Sequence, residues 1–499
     1  MNQRIRRLTV GLIVLFGVLF VQLSNWQVIQ QDRLTGDARN NRVSLRDFDR
    51  MRGPIITADG VTVAASEPVD PKVNPRSRFR WQRTYPTGDL FAHVSGYYTL
   101  GFGSTQLERT QDDVLSGRTT QQQIQGVGGL FDDTDTSGSV HLTLRNDLQS
   151  IAKKALGKRE GSAVVMDPRT GAVLAMYSYP SFDPNLVATH NGNDANEVLK
   201  SLLEDERKPL LANAYQERYM PGSTFKVVTT SAGLESGILT LATVFKSEKS
   251  WTPPDTRKPI RNYGGTTCGG DLTEVFRRSC NIAFARAAVR MGPSVMVNAV
   301  NKFGFDERIP FDLPGGAAST FGGRAADFED ALALLAIHGF GQGGVQVVPL
   351  HMAMMASAIA NGGTMMRPFV VEDLRTNTGD IVRRTQPEVW KTPVNSAVAS
   401  TLTQLMVQVV RAGTASCCLR LNGGIQAAAK TGTAQLNPVG QTQRSHAWIM
   451  AFAPAEAPRV AVAVVLKGVN DVISAGTGGR LAGPVAKSLL DAALPVVPD

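Results

Sequence analysis

Two short stretches of this chain place a serine three residues before a lysine, a spacing at which the amine can serve as a base for the hydroxyl. They are Ser150 with Lys153, and Ser223 with Lys226. The first pair lies inside NDLQSIAKKAL, an amphipathic helical pattern whose charged positions look solvated, and we interpret its spacing as coincidence. The second pair follows Pro-Gly in YMPGSTFK, where the sequence predicts the start of a helix.

The second pair has the properties of a nucleophile with its own base. At a helix N-terminus, free backbone N–H groups and the helix dipole can stabilise an oxyanion that develops next to Ser223. Lys226 falls on the same helix face, within reach of the Ser223 hydroxyl. Because a free lysine has a pKa of roughly 10.4, burial or a second cation must lower that pKa before the amine is a useful base. A serine cap followed by a surface lysine is the plainer interpretation.

A second cation stands in AAAKTGTAQL, a strand-like run of small residues. Lys430 is its only charge, and Gly432 allows another backbone to approach closely. Thr431 and Thr433 point to one face because the side-chain period of a strand is two. A substrate strand could pair here, with its carboxylate held by both threonine hydroxyls and Lys430. An edge strand protected by a lysine is an equal alternative on this evidence alone.

The third candidate is Ser279-Cys280-Asn281, which offers a hydroxyl and an amide two residues apart. Both can face one cleft if the backbone there forms a loop. Taken alone, a cap before the helical run IAFARAAVRMG is the stronger interpretation.

The four cysteines are Cys268, Cys280, Cys417 and Cys418. Their use depends on the compartment, since disulfides persist outside the cytoplasm. We predict a disulfide between the first two, whereas a bond between the adjacent last two would be strained. A zinc site is disfavoured because no Cys-x-x-Cys pair accompanies them. His446, in a strand-like run, leaves a serine–histidine pairing open at this level.

The N-terminus predicts export. Three arginines precede the uncharged run LTVGLIVLFGVLFVQL, and with its extension to Ile29 the segment is long enough to cross a ~30 Å hydrocarbon core. Basic residues ahead of the span predict a cytoplasmic N-terminus and an extracytoplasmic remainder. A cleaved signal peptide is the alternative; it is disfavoured because no small-x-small site follows and Trp26 resembles an interfacial anchor.

Composition argues against several classes of function. The net charge of +9 is scattered, without a basic stripe interleaved with aromatics, so we expect no nucleic-acid partner. GFGQGG formally matches the dinucleotide-binding pattern, but no strand-turn-helix unit surrounds it. We therefore expect no cofactor and no metal.

The chain divides into three predicted parts. Residues 1–29 form the cytoplasmic tail and the membrane anchor, and residues 159–499 form a larger domain. Between them, residues 30–158 form a polar region. This region contains a hairpin around Asp59-Gly60 and a flexible connector, QGVGGLFDDTDTSGSV (125–140). The larger domain begins with a hairpin, continues with helices and ends with three strand-like runs and a helix. This order predicts one sheet assembled from both ends with helices on its faces, an α/β (α+β) fold.

Together, the motifs Ser-x-x-Lys, Ser-x-Asn and Lys-Thr-Gly, in this order, resemble those of the class B penicillin-binding proteins, most closely the actinobacterial penicillin-binding protein A type. Cys280 departs from the Asp of the usual second motif. The resemblance extends to further blocks of the sequence, namely RGPIITADGVTVA, GYYTLGFGSTQLERTQDDVLSG, GSAVVMDPRTGAVLAMYSYPSFDPN and GFGQGGVQVVPLHMAMMASAIANGG.

The resemblance implies a transpeptidase domain whose fold is like that of the serine β-lactamases, with a central antiparallel sheet flanked by helices. It also implies that the N-terminal region is a non-catalytic pedestal for this domain. Ser223 would be acylated by a D-Ala-D-Ala stem peptide or a β-lactam, and Lys226 would take its proton. Ser279, close to Lys430, would protonate the leaving amine. Asn281 would bind the substrate amide and position the base.

The resemblance also implies the rest of the site and the partners. Thr431 and Thr433 would hold the terminal carboxylate, and the backbone N–H groups of Ser223 and Thr433 would form the oxyanion hole. A separate glycosyltransferase and division proteins would be partners, since the pedestal is too short to polymerise glycan. Alternatives are a D,D-carboxypeptidase or serine β-lactamase, which use water as acceptor, and a non-catalytic division scaffold or β-lactam sensor.

Overall fold

The computed structural model describes residues 2–25, 48–72, 77–119, 136–437 and 441–498. Its first helix, α1 (Asn2–Ser24), contains a 20-residue segment with a mean hydropathy of 2.0 and no buried part, long and apolar enough to cross a membrane. Trp26, the extension to Ile29 and most of the predicted connector at 125–140 lie outside the described residues.

The remaining helices are mostly short and lie in both the polar region and the larger domain. They are α2 (Ala92–Ser95), α3 (Gln106–Thr110), α4 (Asp112–Leu115), α5 (Asn146–Leu156), α6 (Gly192–Glu204), α7 (Lys226–Glu235), α8 (Leu272–Arg277), α9 (Asn281–Lys302), α10 (Leu332–His338), α11 (Pro349–Ala360), α12 (Ser396–Ala412), α13 (Asp471–Ala475), α14 (Gly478–Leu481) and α15 (Gly483–Ala493).

The strands range from two to nine residues. They are β1 (Ile55–Ile56), β2 (Thr62–Pro68), β3 (Trp81–Thr84), β4 (Tyr98–Thr99), β5 (Gly103–Ser104), β6 (Ser139–Leu142), β7 (Gly161–Met166), β8 (Val173–Tyr179), β9 (Val244–Glu248), β10 (Ser250–Trp251), β11 (Ile260–Arg261), β12 (Cys268–Asp271), β13 (Met365–Met366), β14 (Val371–Arg375), β15 (Ile381–Arg384), β16 (Val389–Lys391), β17 (Ala428–Gln435), β18 (Ser445–Ala453) and β19 (Val460–Leu466).

The central sheet has the order β17-β18-β19-β7-β8, and every neighbouring pair is antiparallel. Two of its strands begin the larger domain and three end it, so the predicted assembly from both ends is confirmed. All residues of β18 and β19 are buried, which explains why β19 is a continuous apolar run and why β18 is apolar after Ser445 and His446. Helix α11 packs on β7, β18 and β19, while α5 and α15 pack on each other and on β8 and β19.

A second sheet connects the polar region to the larger domain. Its order is β15-β14-β6-β1-β2-β3, and the predicted hairpin around Asp59 and Gly60 is its β1–β2 pair. Strands β14 and β15 come from far inside the larger domain, and β14 pairs antiparallel with β6. The larger domain is therefore joined to the polar region by backbone hydrogen bonds as well as by the chain.

A buried ion cluster stabilises the polar region. Glu108, fully buried, accepts from Arg52 Nη2 at 2.9 Å, from Arg83 Nε at 2.6 Å and from the Tyr85 hydroxyl at 3.2 Å. Burial alone raises the pKa of Glu108, but the two guanidinium groups outweigh it and hold the pKa below its usual value. The carboxylate therefore remains charged and is shared by two buried guanidinium groups, of which that of Arg52 also pairs with Asp112 at 2.6 Å.

We expect Glu108→Gln to lower the free energy of unfolding by ~3–5 kcal/mol, because it removes the charge partner of the buried Arg83 and leaves the buried Arg52 with Asp112 alone. Urea denaturation of the full chain in detergent measures this loss. Asp113→Asn is the matched control, since the Asp113 side chain is 78% exposed and its ion pair with Arg118 spans 3.7 Å. Equal denaturation midpoints for the two variants would contradict a stabilising cluster.

Candidate active site

Ser223 lies in a 3-10 turn, Gly222–Phe225, that leads directly into α7. This turn packs on β17: a Cβ at Gly432 would lie 2.5 Å from the carbonyl oxygen of Pro221. Gly432 thus permits the close backbone approach that the sequence predicts. The backbone that approaches it is the Pro221 segment of the same chain. The contact seats the Ser223 turn directly against β17.

The two motif lysines converge on one hydroxyl. Lys430 Nζ donates to Ser279 Oγ at 2.8 Å, and Lys226 Nζ lies 3.3 Å from the same oxygen. Lys226 also donates to the Ser279 carbonyl at 2.7 Å and to Asn281 Oδ1 at 2.8 Å. Both lysine side chains are fully buried. The structure thereby brings together residues 226, 279, 281 and 430, which are far apart in the sequence.

Burial makes both amines weak bases, which suits catalysis at neutral pH. It lowers the pKa of Lys430 to about 7. Burial, and then the neighbouring charge of Lys430, lower the pKa of Lys226 well below its usual value. A neutral Lys226 amine has two N–H groups, which match its two short contacts. Its lone pair then remains available to accept a proton from a hydroxyl.

Strand β17 presents the threonines predicted to bind the carboxylate. Thr431 and Thr433 line one cleft together with Ser223, as the period of two predicts for alternate residues. The Oγ1 atoms of Thr431 and Thr414 are hydrogen-bonded at 2.5 Å, and the Gly478 N–H donates to Thr433 Oγ1 at 3.3 Å.

The cleft between these elements has a volume of about 250 Å³. Its described lining contains two arginines, Arg278 and Arg480, and no aspartate or glutamate. A lining of this charge favours an anionic substrate. The full set of lining residues is Ser223, Tyr263, Arg278, Ser279, Asn281, Phe340, Gln342, Thr414, Cys417, Thr431, Thr433, Gln435, Thr477, Gly479 and Arg480.

Comparison with known proteins shows the family of this chain. The family model of the penicillin-binding protein transpeptidase domain matches residues 161–491, and that of the penicillin-binding protein A dimerisation domain matches residues 52–140. The peptidoglycan D,D-transpeptidases PbpA of Mycolicibacterium smegmatis and Mycobacterium tuberculosis are 37% and 35% identical, each over 99% of both chains. The chain belongs to the penicillin-binding protein transpeptidases.

A solved structure carries the same fold and a β-lactam. Penicillin-binding protein A from M. tuberculosis, as a ceftriaxone acyl-enzyme complex, matches with a TM-score of 0.83 at 34% identity, covering 90% of this chain and all of that one. The predicted family and fold are confirmed.

Asn262, which no sequence pattern indicated, supports the backbone of the second motif in this penicillin-binding protein. Ser279 has a φ of 62°, a left-handed conformation that costs energy for a residue other than glycine. Asn262 Oδ1 accepts from the N–H groups of Asn281 and Ile282 at 2.9 and 3.1 Å, next to this strained position. Asn262 is buried and itself donates to two backbone carbonyls. It therefore fixes the backbone from which Ser279 and Asn281 project.

The structure forms two disulfides near the site. Cys268 and Cys280 are joined, which links β12 to the middle residue of the second motif. Cys417 and Cys418 are also joined, although the sequence analysis describes a bond between these neighbours as strained. They lie in the turn 414–418 that follows α12, where the backbone brings neighbouring side chains together. His446 accepts from the Gly468 N–H at 3.0 Å and is not among the described cleft residues.

The coupling of the two lysines predicts how acylation depends on pH. Because only neutral Lys226 can accept a proton, the rate of acylation by a penicillin should fall as the pH falls below its lowered pKa. Lys430→Gln removes the neighbouring charge, so the pKa of Lys226 rises and the midpoint of the acid limb moves to higher pH. Acylation rates from about pH 5 to about pH 9, each normalised to the plateau of its own variant, measure this shift. A midpoint that stays in place or moves to lower pH would contradict the coupling.

Proposed function

We propose that Ser223 is the acylated nucleophile and Lys226 its general base in this peptidoglycan D,D-transpeptidase. The observation that supports these roles is the convergence of two fully buried lysines on Ser279, in the cleft that Ser223 also lines. The chain is an enzyme of peptidoglycan synthesis and a target of penicillins.

In the first half-reaction, Ser223 Oγ attacks the carbonyl carbon between the two D-alanines of a donor stem peptide. Lys226 accepts the hydroxyl proton. The backbone N–H groups of Ser223 and Thr433 stabilise the tetrahedral oxyanion, a contribution of ~3 kcal/mol per donor.

The C–N bond then breaks, and the leaving D-alanine amine receives a proton from Ser279 Oγ. Lys430 resupplies that proton, since with a pKa of about 7 its amine is partly protonated at neutral pH. The products of this half-reaction are the acyl-enzyme and free D-alanine.

In the second half-reaction, an amine of a neighbouring stem peptide attacks the acyl-enzyme. The peptide bond that forms is the cross-link, and the ester bond to Ser223 Oγ breaks. Ser223 recovers its proton from Lys226, and the acceptor amine gives up a proton through Ser279 to Lys430, which restores the starting protonation state. Asn281 orients Lys226 through their 2.8 Å hydrogen bond and binds the substrate amide. Thr431 and Thr433 hold the terminal carboxylate of the donor, and a β-lactam occupies the same positions as the donor.

We infer that this chemistry takes place outside the cytoplasm. Three arginines precede the apolar segment of α1, so we infer a cytoplasmic N-terminus and an extracytoplasmic cleft. Residues 30–158 then form a non-catalytic pedestal below a transpeptidase domain at 159–499. A separate glycosyltransferase supplies the glycan strands, and division proteins bind the pedestal.

Aminolysis of a donor peptide tests the acceptor. The full chain in detergent is incubated with a peptide that ends in D-Ala-D-Ala and with an excess of an amine acceptor, and mass spectrometry follows the products. We expect D-alanine release with a new peptide bond to the acceptor. Hydrolysed donor alone would favour a D,D-carboxypeptidase, and an inert peptide with a stable penicillin adduct would favour a scaffold or sensor.

A further inference from the structure

Thr414 lines the cleft but belongs to none of the three motifs. It lies in the turn after α12, and its side chain meets the third motif through the hydrogen bond between its Oγ1 atom and that of Thr431. Its backbone is held on two sides: its N–H faces the carbonyl of Arg277 at 3.3 Å, and a Cβ at Gly479 would lie 2.2 Å from its carbonyl oxygen. The Thr414 hydroxyl is thus fixed between the segment before Ser279 and β17.

A count of hydroxyl protons shows why this contact matters. A threonine hydroxyl has one proton to donate and two lone pairs. If Thr431 donated its proton to Thr414, it would have none for a substrate carboxylate. If Thr414 donates instead, the proton of Thr431 is free to point into the cleft.

The hydroxyl of Thr433 already accepts a hydrogen bond from the protein and keeps its own proton free. Its Oγ1 accepts from the Gly478 N–H, which is a donor only, so the proton of Thr433 is available to the substrate. A donor behind each threonine would direct both hydroxyl protons towards one anion. Such charge-assisted hydrogen bonds are about twice as strong as neutral ones.

We propose that Thr414 is a positioning residue for the donor carboxylate: its hydroxyl donates to Thr431 Oγ1 and directs the Thr431 proton into the cleft. This inference rests on the proposed role of Thr431 and Thr433 as carboxylate ligands. It assigns a role in substrate specificity to the turn 414–418, which lies outside the three motifs.

The test compares a penicillin with its methyl ester, which has the same ring but no carboxylate. For each variant, the ratio of the two second-order acylation constants measures carboxylate recognition independently of the active fraction of protein. We expect Thr414→Val to lower this acid-to-ester ratio about tenfold, equivalent to the loss of one charge-assisted hydrogen bond. Thr414→Ser, which keeps the hydroxyl, should restore the ratio to within about twofold of the wild type.

The same measurement separates this inference from the proposed function. If the wild type acylates acid and ester equally well, the carboxylate role of Thr431 and Thr433 fails. If the wild type prefers the acid and Thr414→Val keeps that preference, or Thr414→Ser loses it, the role of Thr414 alone is overturned. Because Thr414 acts through Thr431, Thr431→Val should abolish the effect of Thr414→Val on the ratio; additive losses would also overturn the inference.

Discussion

Ser223→Ala is expected to abolish covalent labelling by a fluorescent penicillin and to lower donor-peptide turnover by at least about 10⁴-fold. Alanine keeps the backbone N–H groups of the turn but has no oxygen to form the ester. Noncovalent binding of the penicillin should persist, because the cleft lining is otherwise unchanged. Gel fluorescence of the denatured protein measures the adduct, and peptide mapping of the wild type should place it on Ser223.

The chain supplies a matched control for this variant. Ser150 and Lys153 have the same spacing, but Ser150 is exposed on α5 and Lys153 pairs with Asp89. Ser150→Ala should therefore be labelled like the wild type. Labelling of Ser223→Ala at the wild-type level would remove Ser223 from the mechanism, and loss of labelling in both variants would indicate damage to the fold.

Periodic patterns in the sequence predict the strands of the central sheet and the threonines of β17 that face the cleft. Alternation in β17 placed Thr431 and Thr433 on one side of the strand, and the structure has both in the cleft. The apolar runs at both ends of the larger domain predicted a shared sheet, and they are its buried strands. These predictions succeeded because the side-chain period of a strand depends on the backbone alone.

No periodic pattern in the sequence indicates the contacts that complete the site. Asn262 reaches the second motif across 19 residues and Thr414 reaches Thr431 across 17, in both cases from irregular backbone. Asparagine and threonine are common in turns for local reasons, so neither stands out in the sequence. Likewise, β15 is mostly exposed and half of its residues are arginines, and its place in the second sheet follows from tertiary pairing.

The lysine of the first motif allows a sharper test, because it distinguishes a proton acceptor from a fixed positive charge. Lys226→Arg keeps the charge but cannot lose its proton near neutral pH. Lys226→Met removes both the charge and the basic nitrogen at a similar side-chain length. If Lys226 is the general base, both variants should slow penicillin acylation by ~10²–10⁴-fold.

The pattern across the two variants decides the role. An arginine variant within about tenfold of the wild type, beside an inactive methionine variant, would show that Lys226 contributes charge, and the base would have to be another group. Lys153→Arg is the matched control and should leave acylation unchanged, since Lys153 lies on α5 and pairs with Asp89. The structure favours the base: Lys226 is fully buried, its described contacts are neutral acceptors, and Lys430 opposes a second charge beside it. A site built to hold a cation at this position would place a carboxylate next to it, whereas this one places another lysine.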